Sequence, residues 1–250
     1  MKRGMTIAPM FLLHLSVMRR TVLYLLLLAV STSAAQDANR IRRALEFRYQ
    51  HARTLKAVFY ERYNDGYGGV TAESGTVYFS RPGRMRWEYE SPEEKLFLVD
   101  GKNVWFYVPA DHTASRAKLN ESSDWRALFA LLAGKGECLR FCRSIRNAEP
   151  ADIPAGKPGE STLGPGDALL RCVPRVRSDE ADDAIRDVLF ETDASAQLVR
   201  VVVREAGNVE MEFRFGNWQE NIAIPEVKFH FQAPPGVAMV DEEKLAGEAR

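Results

Sequence analysis

Hydrophobic and polar residues alternate strictly from Arg84 to Tyr89, with Met85, Trp87 and Tyr89 on one side and Arg84, Arg86 and Glu88 on the other. A period of two marks a half-buried strand. The same period places Leu55, Ala57 and Phe59 against Lys56, Val58 and Tyr60, and residues 70–80 form the next strand. Residues 95–99 and 103–108 flank Asp100-Gly101, a pair that favours the tight turn of a β-hairpin. Further strand-like runs occupy 137–145, 168–173, 185–191, 198–204, 209–215 and 227–231, and a last short strand or a frayed end follows Pro234-Pro235-Gly236.

Helical spacing occurs twice. Behind a cap at Asp37 or Asn39, Ile41, Ala44 and Leu45 mark a face that Arg48 and Ala52 continue. Trp125, Leu128, Phe129 and Leu132 follow at i, i+3, i+4 and i+7, with Ser122 or Ser123 as cap and Gly134 as stop. Turn residues cluster at 64–69, at Arg81-Pro82-Gly83-Arg84 and at Ser91-Pro92. The Pro- and Gly-rich stretch 147–167 reads as a surface loop, and 179–183 as a solvated acidic run. The pattern predicts a mainly β domain over 36–250, with about eleven strands and two helices.

Charge changes the picture at the N-terminus. Residues 1–35 carry Lys2, Arg3, Arg19 and Arg20 and no acid, leaving 30 basic and 34 acidic groups in the remainder. Arg19-Arg20, the apolar run 21–30 and Ser33-Ala34-Ala35 have the order of a secretory signal peptide over 1–35, with Met18 an alternative start. About ten apolar residues are too few to span a bilayer of about 30 Å as a helix, although a retained anchor is the alternative. The expected mature chain begins near Gln36, outside the cytoplasm. No cysteine precedes Cys138, so the cleavage site offers no acceptor for lipidation and a soluble protein is expected. Its net charge of −4 gives no electrostatic support for nucleic-acid binding.

Candidate chemistry is sparse. Cys138, Cys142 and Cys172 are an odd set in a compartment where disulfides persist. Cys142 with Cys172, in strand-like runs on either side of one long loop, is the expected pair, with free buried thiols the alternative. Nothing completes a zinc site around Cys-x3-Cys, so no metal or cofactor is expected. His51, His112 and His230 are far apart in sequence, and no nucleophile elbow, phosphate loop or dinucleotide fingerprint is present. An enzyme is therefore not expected; an esterase would require one of these histidines.

The aromatic residues between Ser80 and Pro109 either fill a core or line a cavity. Two short helices cover about eleven strands poorly, and an uncovered apolar inner face suits apolar ligands. The order of motifs adds to this. A strand, Arg81-Pro82-Gly83-Arg84, a strand with Trp87 and Tyr89, Pro92, a strand, Asp100-Gly101 and Val104-Trp105-Phe106-Tyr107-x-Pro109 resembles the LolA family, the periplasmic carriers of outer-membrane lipoproteins. The N-terminal helix entering a strand with Phe59, the helix after Ser122-Ser123-Asp124, and Asn221-x-x-Ile224-Pro225-x-x-x-Phe229-x-Phe231-x-x-Pro234-x-Gly236-Val237 extend the resemblance over essentially the whole mature chain.

The resemblance implies an incomplete, half-open antiparallel β-barrel with a helical lid, whose interior holds lipoprotein acyl chains. The family's gating Arg falls on Arg81, which would bond polar groups on the lid helices. Met85, Trp87, Tyr89, Phe97, Trp105, Phe129, Leu132, Phe213, Phe229 and Phe231 would form the lipid-binding walls. Partners implied are acylated lipoproteins, an inner-membrane lipoprotein-releasing ABC transporter and an outer-membrane lipoprotein receptor, with the carrier a monomer. A lipid- or lipoprotein-sensing regulatory domain on the same fold is the alternative. The cysteine set and the stretches 147–167 and 179–183 depart from the family pattern.

Overall fold

The computed structural model describes residues 37–119, 139, 141–153, 163–175 and 185–241. The signal-like segment, Cys138, the second helix with Phe129 and Leu132, and the acidic run 179–183 lie outside the described residues. A helix, α1 (37–51), leads into β1 (Thr54–Asn64), β2 (Val70–Ser80), β3 (Arg84–Ser91), β4 (Lys95–Val99), β5 (Asn103–Val108) and β6 (Thr113–Lys118). The second half comprises β7 (Cys142–Asn147), β8 (Ala168–Pro174), β9 (Asp187–Thr192), β10 (Leu198–Arg204), β11 (Glu210–Glu220) and β12 (Ala238–Asp241).

All twelve strands join one sheet in the order β12-β6-β5-β4-β3-β2-β1-β11-β10-β9-β8-β7. Neighbouring strands are antiparallel except β12, which runs parallel to β6. Two hairpin meanders thus meet at the β1–β11 seam, and the order ends on β7 and β12 without closure. Strands three apart would sit about 14 Å from each other in a flat sheet. The rings of Trp87 on β3 and Phe213 on β11 nevertheless meet at 5.4 Å, so the sheet curls and its inner side chains converge.

Opposed residues of an antiparallel pair share a face. Leu55, Ala57 and Phe59 face Phe79, Val77 and Gly75 across β1–β2; Met85 and Trp87 face Val99 and Phe97 across β3–β4. Apart from Gly75, which has no side chain, these residues belong with Phe213 and Phe215 of β11 to one buried cluster on the concave side. Helix α1 contributes Ala38, Leu45, Tyr49 and the following Ala52 to it. Ala44, expected on that face, is exposed, and Tyr49 takes the inward position one turn after Leu45. A bulky ring there reaches Trp218 of β11 at 5.8 Å, which an alanine could not.

Three strand expectations change. Residues 113–118 form β6, which its polar sequence TASRAK does not announce. Residues 227–231 are not a strand: Glu226–Phe229 is a 3-10 turn begun by Pro225, because Phe229 and Phe231 pack across the sheet and not along it. Of the run 137–145, residues 142–145 lie in β7, which continues to Asn147, and the described residues hold twelve strands.

The convex side carries two covers. Ile153 and Leu163, from the stretch read as a bare surface loop, join Leu169, Leu189 and Val202 in a second cluster. The C-terminal segment forms the other as a strap. Lys228 Nζ pairs with Glu88 at 2.9 Å, Arg86 donates to the Lys228 carbonyl at 3.1 Å, and Arg84 lies over the Phe229 ring at 5.3 Å. Arg84 and Arg86 are thus on the outer face, under this strap. Burial would push the Glu88 carboxyl up, yet hydrogen bonds from Lys228 and Arg86 hold it below its ordinary value.

Buried charge also crosses the convex side. Arg200 donates from Nε to Glu191 at 2.6 Å and from Nη1 to Glu212 at 3.2 Å. Burial and a hydrogen bond shared with Glu191 push the Asp167 carboxyl up.

Candidate functional site

The concave wall is built from alternate residues of adjacent strands, the arrangement that period-two patterning dictates. Phe59 meets Trp87 edge-on at 4.6 Å and Tyr89 at 5.0 Å; Trp87 meets Phe213 and Phe215 at 5.4 and 6.1 Å. Such edge-to-face contacts suit the ring quadrupoles and keep a continuous apolar surface. Trp87 and Phe213 are fully buried. A chain-like ligand could reach them only if a covering element moved.

Helix α1 is a described covering element, and both its flanks are tied. Arg81 donates Nε–H to the Ala52 carbonyl at 2.7 Å, and its Nη2 bonds the Tyr49 carbonyl. A helix C-terminus presents unsatisfied carbonyls and partial negative charge, so a guanidinium is the complementary cap. The Arg81 backbone N–H also bonds the Arg53 carbonyl at 3.0 Å. On the other flank Arg48 bonds the Ser195 carbonyl at 3.1 Å, Gln197 Oε1 at 3.0 Å and Glu220 at 2.5 Å. The Tyr49 hydroxyl accepts from the Leu198 N–H at 2.9 Å. The helix therefore bridges the β2–β3 corner and the β9–β10 turn.

The expected wall residues separate into two faces. Met85, Trp87, Tyr89, Phe97 and Phe213 belong to the concave cluster. Trp105, Phe229 and Phe231 do not: Trp105 opposes Leu98, whose neighbour Phe97 points inward with Phe106. Phe231 stacks on Trp105 at 5.1 Å, and Trp105 donates Nε1–H to Asp100 at 2.9 Å. These three belong to the strap side. Phe129 and Leu132 lie outside the described residues.

Sequence reasoning missed Tyr49, Phe215 and Glu61. Phe215 shares the parity of Phe213 and was available from alternation. Glu61 shares the parity of Phe59, but its charge argued for the outside. It is buried, and Tyr89 donates Oη–H to its Oε2 at 2.7 Å.

The second half is stapled by a disulfide between Cys142 of β7 and Cys172 of β8, with Cα atoms 5.4 Å apart. Among the described residues no group of His, Cys, Asp or Glu is placed to hold a metal, and no helix is long and apolar enough to cross a membrane.

Residues 50–140, which include the Arg81 corner and the aromatic strands β3 and β5, match the profile of the outer membrane lipoprotein carrier protein LolA. An outer-membrane lipoprotein carrier protein of Chromobacterium violaceum is 30% identical over 193 residues, covering 76% of this chain and 82% of that protein. The chain belongs to the LolA family. A carrier of the same name from Psychromonas ingrahamii is 26% identical over 217 residues, 86% of this chain and 92% of its own length. A LolA superfamily crystal structure from Nitrosomonas europaea superposes with a TM-score of 0.42 at 10% identity, over 78% of this chain and 97% of that one. In this LolA-family chain the half-open sheet, the single helix described and the Arg81 corner form one unit, and the Cys142–Cys172 staple lies beyond the matched stretch.

Proposed function

We propose that the protein is a periplasmic carrier that takes lipoprotein acyl chains into its apolar interior and moves them from the inner to the outer membrane. It would load from a lipoprotein-releasing ABC transporter and unload to an outer-membrane receptor, acting as a monomer. The observation that carries this reading is the position of Arg81, which ties the C-terminus of α1 beside a buried aromatic wall.

Burying an acyl chain stabilises by about 0.8 kcal/mol per methylene relative to water. Two or three chains of roughly 16 carbons would exceed the ceiling of about 18–21 kcal/mol for noncovalent affinity. Cargo drawn from a bilayer gains little of this, because its chains were already buried. Loading must then be driven by the transporter, and the interior must release to the next acceptor. A helix that shuts over the emptied wall favours release, since Arg81 regains its carbonyl partners as the lipid leaves.

The test is to recover the exported protein from a periplasm and identify bound lipid by mass spectrometry. Co-purified acylated lipoprotein supports the carrier. A preparation free of acyl lipid that also fails to accept lipoprotein from inner-membrane vesicles would rule it out.

A further inference from the structure

The concave face is not apolar along its whole length. Following the inward row of β1, Leu55, Ala57 and Phe59 give way to Glu61. Glu61 opposes Glu73 of β2 and Phe213 of β11, so all three share the concave face. On the next strand Tyr89 bonds Glu61 at 2.7 Å and opposes Lys95 of β4. Lys95 Nζ reaches Glu73 at 2.5 Å, closing a polar corner of four side chains.

This corner lies at the opposite end of β1 from the Arg81 latch. Arg81 follows Ser80, which opposes Thr54 at the start of β1, whereas Glu61 stands near its end. That end carries the 64–69 loop, packed on the β10–β11 turn. Gly66 has φ +79°, and a Cβ there would stand 2.1 Å from the Gly207 carbonyl oxygen. Burying a carboxylate in the same inward row as Phe59 and opposite Phe213 costs several kcal/mol in principle, and strand pairing alone would be served as well by an apolar residue. A charged group retained in the wall of an apolar interior fits the recognition of a polar part of the ligand.

We propose that Glu61, held by Tyr89, is the head-group contact of the interior, and that it selects acyl-chain ligands whose head group donates N–H, most strongly an ammonium. The assignment rests on the acyl-chain reading above. An ionised carboxylate only accepts hydrogen bonds, so its partner must donate. The apolar run from Phe59 back to Leu55 then receives the chains, and the head group faces the Glu73–Lys95 rim.

Calorimetric titration of the protein at neutral pH with dodecylammonium and dodecanoate, each below its micelle concentration, and with dodecanol below its solubility limit, tests this. Wild type should bind dodecylammonium at least about tenfold tighter than dodecanol, the factor a charge-assisted hydrogen bond supplies, and dodecanoate most weakly. Glu61→Gln should bring dodecylammonium and dodecanol to within about twofold of each other, whereas Glu73→Gln should retain most of the preference. Wild type without the preference, Glu61→Gln with it intact, or equal losses in the Glu61 and Glu73 variants would overturn the head-group assignment and leave the acyl-chain reading standing. Failure of all three amphiphiles to bind wild type would remove both.

Discussion

Arg81, in the corner between β2 and β3, caps the helix that lies over the aromatic wall by donating to the Ala52 carbonyl at 2.7 Å. The bond joins a turn of the sheet to the C-terminus of α1, so any movement of the helix off the wall must break this contact. Replacing Arg81 with Leu removes charge-assisted bonds of about 1.5–3 kcal/mol in total effect. The expected result is retained acyl binding with slower transfer to the outer-membrane acceptor, because the emptied interior loses its closing force. Transfer at the wild-type rate with wild-type affinity would dismiss the latch.

Arg48 ties the other flank of α1 to Ser195, Gln197 and Glu220. Arg48→Ala should raise amide hydrogen exchange in α1 and in the β9–β10 turn while leaving β3 to β5 protected. The cost to global stability should be about 1 kcal/mol, since its partners remain within reach of water. Uniformly faster exchange across the sheet would instead mean that Arg48 supports the whole fold.

Glu88 anchors the strap through Lys228 and Arg86. Its folded value is depressed, so it contributes stability above its unfolded value that disappears as the pH falls through the folded one. Glu88→Gln should therefore lower the melting temperature at neutral pH and narrow the gap to wild type in acid. A gap that widens in acid would contradict the assignment.

Asp167 behaves with the opposite sign. Its carboxyl is raised by burial and by Glu191, so its favourable contribution is present below the unfolded value and declines as the pH rises through the folded one. Asp167→Asn keeps the size of the group and cannot ionise. It should melt at or above the wild-type temperature at neutral pH and lose this advantage below about pH 4.

The Cys142–Cys172 bridge closes a span of 30 residues. The chain-entropy estimate for such a loop is about 3–4 kcal/mol. The Cys142→Ala, Cys172→Ala double variant should lose about that much unfolding free energy, read as a lower denaturant midpoint, and wild type in reductant should approach it. Equal midpoints in all three samples would show that the bridge contributes nothing to folding.

Much of the first half was legible in the chain. The alternation from Arg84 to Tyr89, the Asp100-Gly101 hairpin and the strands on either side of it follow from local periodicity and turn chemistry. Strand β6 was not legible, because TASRAK has no apolar alternation and is a strand only through its pairing with β5. Glu61 was missed for a related reason: burial of a charge is set by the neighbours it meets in space, here Tyr89, and not by its own residue type.

By itself the sequence determined which residues share a face within each strand, where the chain turns, and the family to which that order belongs. Tertiary structure alone decided which face is the inside. Trp87 and Trp105 look equivalent in their strands, yet β3 turns the first toward Phe213 and β5 turns the second toward Phe231. Period two makes the two faces distinct without naming either. The choice comes from long-range burial, where the curl of the sheet, the helix and the strap compete for apolar surface.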